Sequence, residues 1–156
     1  MSEDSVETGK VDAVRSLGLL VLRVGVGWLL LSGHGWAKLM HFSERAATFS
    51  DPIGLGPSLG FTLVVFAEVV CSSAIIVGLF TRLATIPQII FFCVAAFVQH
   101  GNDPWAKREL PVLFLVPAVT LLVTGAGRFS LDALLRAAWK RRGESRRAGD
   151  RRASTS

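Results

Sequence analysis

Residues 17–40 read LGLLVLRVGVGWLLLSGHGWAKLM. At a rise of about 1.5 Å per residue, a helix over this run crosses a hydrocarbon core of about 30 Å. It is too long for the apolar region of a cleaved leader, and no small-residue cleavage site follows it. Its flank mixes Glu3, Asp4 and Glu7 with Lys10 and Arg15, so the segment is expected to stay as a spanning helix. Three more apolar blocks follow, at residues 59–80, 83–100 and 110–126, the last two short enough to allow only modest tilt. This pattern predicts an all-α integral membrane protein, a four-helix bundle running up-down-up-down. Residues 1–16 form an N-terminal segment, 17–135 the membrane domain and 136–156 a basic tail expected to be disordered. Pro117 is expected to kink the fourth span, and Gly25, Gly27, Gly33 and Gly35 let a neighbouring backbone approach the first.

Composition agrees. Of 156 residues, 51% are hydrophobic and 19% charged, and most of the charge is pushed to the ends and joints, which disfavours a water-soluble core. The net charge is +5, and the tail alone (Arg136, Lys140, Arg141, Arg142, Arg146, Arg147, Arg151 and Arg152 against Glu144 and Asp150) carries +6. A basic tail directly after a span suits an anionic lipid surface and argues against nucleic acid. Two cysteines exclude a disulfide framework. Lys10, Arg15, Arg82, Arg128 and the tail fall on one side of the bilayer, with Lys38, Arg45, Lys107 and Arg108 on the other, which predicts both termini in the cytoplasm. Arg82, in a joint of a few residues, reads as a lipid anchor for the hairpin. In the outer joint, Phe42, Ala46 and Phe49 recur at helical spacing before the breaker-rich run Asp51-Pro52-Ile53-Gly54-Leu55-Gly56-Pro57, which predicts a short amphipathic helix that seals the loop or lids the bundle.

The ionisable residues inside the spans carry the chemistry. Glu68 lies mid-span, where an acid costs about 2.5–3.5 kcal/mol on insertion scales, so it needs a partner or a purpose. Depth counting puts Glu68 roughly 18 Å from the cytoplasmic end, Arg23 roughly 9 Å, and His34 and His100 both roughly 25 Å. Side chains lean toward their own helix N-terminus, so Glu68 and the two histidines should converge as a proton-handling cluster. Arg23 should snorkel toward the cytoplasm, although it shares a face with Gly27, His34 and Lys38, and Glu109 is placed to meet Lys38. The alternative is a buried network that only fixes helix register. Cys71 and Cys93 fall at one depth in a hairpin and form a redox candidate; small packing residues are the plainer reading. No metal-ligand spacing such as HExxH is present. A haem between the histidines is disfavoured, and no nucleotide, nicotinamide or flavin signature appears.

Arg23, Gly35-Trp36-Ala37-Lys38-Leu39, then Glu68 followed by Gly78-Leu79-Phe80-Thr81-Arg82-Leu83-Ala84, then His100, Glu109 and the closing Gly125-Ala126-Gly127-Arg128-Phe129-Ser130-Leu131-Asp132 together resemble the DoxX family of small four-helix bacterial membrane proteins. The resemblance covers residues 17–135. It implies a multi-pass protein of the bacterial inner membrane and a link to quinone-dependent oxidation or to complexes handling thiol and oxidative stress. The implied cofactor is a quinone, and the implied partner a soluble or membrane oxidoreductase. A proton-coupled carrier or binder of a small acidic or lipid-like molecule, and a non-catalytic membrane scaffold, remain the alternatives.

Overall fold

The computed structural model describes residues 3–153, with side chains described for residues 7–144. Helix α1 (Glu3–Leu30) continues through a π-helical turn, Leu31–Gly35, into α2 (Trp36–Met40). After α3 (Phe42–Ala46), a second rod joins α4 (Pro57–Val65), the π-turn Phe66–Cys71 and α5 (Ser72–Val77). A third joins α6 (Thr81–Cys93) to the π-turn Val94–Gln99, and α7 (Trp105–Thr124) and α8 (Leu131–Ala153) follow. There is no strand among the described residues.

Three rods are long and apolar enough to cross a membrane: Glu7–Met40, Pro57–Val77 and Thr81–Gln99. Helix α7 has 20 residues, but Lys107, Arg108 and Glu109 fall inside its first turns and not in the joint before it, which shortens its apolar run. It packs along α6 most extensively and also meets α1, while α1 packs on α5.

The distribution of side chains is inverted relative to a water-soluble protein. Leu59, Leu63, Phe66 and Val70 of the second rod are exposed, as are Leu83, Ile86 and Ile90 of the third and Leu113, Val116 and Val123 of α7. Buried instead are Arg23, Glu68, Ser72, Thr81, Thr85 and Gln88. Apolar surface outside and polar groups turned inside is the solution a hydrocarbon solvent demands. This is a membrane protein.

Half of the glycine stripe on the first rod makes close contacts. A Cβ on Gly35 would lie 2.8 Å from the Glu68 carbonyl oxygen, and one on Gly27 would lie 2.7 Å from Ile76, whereas Gly25 and Gly33 meet nothing within 4 Å. The second rod ends in a Schellman turn: Gly78 (φ 73°) donates its N–H to Ile75 O at 3.1 Å, and Leu79 to Ala74 O at 2.9 Å. Helix α7 passes through both Pro111 and Pro117.

The short helix expected in the outer joint is present as α3, a single turn: Ala46, with Phe42 and Phe49 beside it, packs inward on buried Phe61, with ring centroids 5.3 and 5.1 Å apart. One expectation is corrected here: the basic tail is not disordered from residue 136. Its backbone is helical to Ala153, because Leu, Ala, Arg, Lys and Glu are strong helix formers and only Gly143 and Gly149 interrupt them. The side chains of Arg146, Arg147, Arg151 and Arg152 lie outside the described residues.

Candidate functional site at the level of the π-turns

Each of the three apolar rods departs from α-helical winding once, and the departures carry or adjoin the polar residues. The first π-turn contains His34, the second Glu68, and the third ends one residue before His100. Single π-turns inside α-helices occur frequently at functional sites, because the inserted residue swings a side chain out of register. The close approach of Gly35 to the Glu68 backbone joins the first two turns directly.

Glu68 is 2% exposed, and its Oε1 accepts from Lys38 Nζ at 2.5 Å. Its Oε2 is buried with no partner. The Lys38 side chain is 22% exposed, so its stem reaches inward while its ammonium keeps an outlet, and Nζ sits 5.7 Å from the Phe91 ring centroid. A cavity of about 230 Å³ opens beside the pair, lined by Lys38, Glu68, His34, His100 and Lys107 against an aromatic wall of Phe91, Phe92 and Phe114. The wall is ordered: Phe92 stacks on Phe114 at 5.5 Å, and His34 meets the Phe114 ring edge-on at 6.0 Å.

The expected meeting of Glu68 with both histidines is therefore found at the level of a shared cavity, while the hydrogen-bond pattern differs. His100 Nδ1–H donates to Asp103 Oδ2 at 2.8 Å, which leaves Nε2 free, and Lys107 reaches the other oxygen of Asp103 at 3.4 Å. The bond from His100, helped by Lys107, holds the Asp103 carboxyl below its ordinary range. Glu109 is exposed and makes no ion pair with Lys38, which is already held by Glu68.

Arg23 is not part of this site and does not snorkel. It is 2% exposed and clamps the opposite end of the bundle, donating to Ile76 O at 2.8 Å, to Ile75 O at 3.4 Å and to Phe129 O. Carbonyls at the end of the second rod and in the turn before α8 are better partners for a guanidinium than a route through packed side chains to lipid. Arg82 likewise has a protein partner, donating to Val123 O at 3.0 Å at the end of α7. Cys71 is buried beside Ile75, Ala84 and Leu121, and Cys93 is half-buried; both thiols are free.

Sequence reasoning passed over Gln88, whose Nε2 donates to Ala67 O at 3.1 Å and Ser72 Oγ at 3.0 Å, bracketing the π-turn that carries Glu68. An amide in an apolar run beside Pro87 was the available signal. Asp103 was also passed over; as a joint residue three positions after a histidine, it carried none. No group of three or more His, Cys, Asp or Glu able to hold a metal occurs among the described residues.

The DoxX family profile matches residues 18–101, which include both His34 and Lys38, Glu68 and His100. The chain belongs to the DoxX family. It is similar to an uncharacterized protein of Haemophilus influenzae, 25% identical over 127 residues, covering 77% of this chain and 84% of that protein. It is also similar to the inner membrane protein YqjF of Escherichia coli K12, 26% identical over 132 residues, covering 81% of this chain and 98% of that protein. No solved structure matches.

Proposed function

We propose that the chain is a multi-pass protein of the bacterial inner membrane, a four-helix up-down-up-down bundle in which α7 completes the crossing, with both termini cytoplasmic. In this reading it acts as a subunit of a quinone-linked membrane oxidoreductase, and the cavity between the π-turns receives the polar head of a quinone. The observation that supports this best is the buried Glu68 Oε2, an acceptor without a donor at the wall of an aromatic-lined cavity. At about 230 Å³ the cavity lies below the usual range of about 300–1,000 Å³ for whole-ligand pockets, which suits a head group whose tail stays in lipid.

A bound quinone would supply two-electron redox chemistry, with electrons from a partner subunit. The residues of this chain supply position and protons. Lys38 orients the Glu68 carboxylate through Oε1, leaving Oε2 to exchange a proton at the cavity; His100, oriented by Asp103, offers Nε2; His34 closes the wall. Proton transfer from positioned groups of this kind contributes about 10²–10⁴-fold.

Lys38, Lys107 and two histidines around one carboxylate favour a second reading, a proton-coupled binder or carrier of a small acidic or lipid-like molecule. Purification of the full chain in mild detergent, with mass spectrometry of co-purifying small molecules, separates the two. A quinone retained by the native chain and lost from Glu68→Gln supports the first; an acidic metabolite or fatty acid in its place overturns it in favour of the second.

A further inference from the structure

At the end of the bundle remote from this cavity, two clefts lie side by side. One, of about 390 Å³, is lined by Arg82, Arg136, Asp132, Phe80, Leu83 and Thr124; the other, of about 420 Å³, by Phe80, Asp132, Leu135, Arg136 and Trp139. They share Phe80, Asp132 and Arg136. The first is charged and polar, the second apolar but for Asp132 and Arg136. We propose that this pair of clefts, in the crook between the 78–82 hairpin and α8, is a specific binding site for an anionic phospholipid, its phosphate held between Arg82 and Arg136 and an acyl chain laid against Phe80, Leu135 and Trp139.

The two guanidiniums have donors to spare. Arg82 spends one N–H on Val123 O, and Arg136 has no hydrogen bond or ion pair with any described residue. Gly125 (φ 78°) keeps the space open, since a Cβ there would lie 3.3 Å from Arg82 Nε. The carboxylate in the crook, Asp132, is already engaged: it accepts from the backbone N–H groups of Phe80 at 2.8 Å and Thr81 at 3.1 Å, so it fixes the start of α6 and ties α8 to the hairpin. Bidentate guanidinium forks suit phosphate oxygens better than any other common anion on a membrane.

The apolar half is as specific. Phe80 is the one non-glycine residue with positive φ among those described (φ 47°, ψ 39°), a conformation that costs a bulky side chain, yet the residue is 63% exposed. Trp139, on the same face of α8 as Leu135, is 78% exposed. Strain held to present an aromatic ring outward is explained by something packing on that ring. The occupant is a lipid and not an acidic protein because the cleft is continuous with the lipid-facing surface: exposed Leu83 lines it, and exposed Val123 lies in the last turn of α7, next to Thr124 of its lining. A tryptophan and a basic cluster at the end of a span are also the pair of residues that sit at the head-group level.

Native mass spectrometry of the full chain, released from detergent containing equal amounts of phosphatidylglycerol and phosphatidylcholine, tests this. Phosphatidylglycerol adducts should dominate, and Arg136→Gln should reduce them about fivefold, the effect of one basic residue at a membrane surface. Phe80→Gly relieves the backbone strain, so it should fold at least as well while losing adducts. The charge-matched control Arg141→Gln should retain them. Equal retention of both lipids, loss in the control as large as in Arg136→Gln, or displacement of the lipid by millimolar inorganic phosphate would each overturn the site.

Discussion

Lys38 and Glu68 do not carry equal risk, because only one of them has an outlet. With Glu68 at 2% exposure and Lys38 at 22%, removing the lysine strands a buried charge, while neutralising the acid leaves an ammonium that can move outward. Lys38→Met should therefore lower stability by about 3–5 kcal/mol, Glu68→Gln by under about 1 kcal/mol, and the double variant should recover most of the loss of Lys38→Met. Thermal unfolding in detergent reads the cycle; equal losses for the two single variants would show that the pair is not asymmetric. If Glu68 handles protons, Glu68→Gln removes activity in a folded protein, non-additively with His34→Gln or His100→Gln. A pH effect belongs to the joint. The Asp103 carboxyl is held low by His100, so the His100–Asp103–Lys107 contact contributes fully above the ordinary Asp value of about 3.9 and is lost as pH falls through the lower folded-state value. Carbon-detected NMR of the Asp103 carboxyl should find its midpoint below that of a model aspartate.

The rods are shaped by what they press against, and this is where sequence and structure part company. A helical stripe of Gly25, Gly27, Gly33 and Gly35 was legible as a close-packing face, but which glycines are used depends on where a partner backbone crosses, and only Gly27 and Gly35 are crossed. The π-turns were illegible for the same reason: residues 66–71 and 94–99 hold ordinary helix-compatible residues, the glycines of residues 31–35 read equally as a packing face, and the winding answers to tertiary contacts such as Gln88 on Ala67 O. Arg23 was visible as a costly intramembrane cation, yet its partners, the carbonyls of residues 75, 76 and 129, have no sequence signature. The element-scale consequences are sharp. Gly35→Ala forces a methyl to within 2.8 Å of a carbonyl oxygen, so it should cost about 1–3 kcal/mol and separate the first two π-turns, whereas Gly33→Ala, with nothing within 4 Å, should be nearly silent. Asp132→Ala removes two acceptors from the first N–H groups of α6 and should cost about 1–2 kcal/mol. Melting temperatures of the three variants decide both points.

At the scale of the whole molecule, the two ends of the bundle are different in kind. One end gathers Lys38, Glu68, His34 and His100 around a cavity, with the short α3 and the 47–56 joint packed beside it; the other gathers Arg23, Arg82, Asp132 and the start of α8 into a clamp of backbone carbonyls and caps. Three of the four expected apolar blocks lie on helices long and apolar enough to cross, because span length is set by bilayer thickness and needs no partner; the fourth, on α7, falls short because charges enter the helix itself. The flanking cations predict which end faces the cytoplasm. The clamp end carries Arg82 and Arg128 and leads into the Arg- and Lys-rich α8, while the cavity end carries Arg45, Lys107 and Arg108 over a longer joint. The excess lies with the clamp end, so α8 is expected inside. In a Cys71→Ala/Cys93→Ala background, Ser50→Cys, at the cavity end, should react with an impermeant maleimide on whole cells. Ser154→Cys, beyond the described residues, should react only after the membrane is opened. The reverse pattern would invert the bundle. Reaction of both on whole cells would mean that α7 does not cross, leaving three spans and placing the tail and the cavity on the same side.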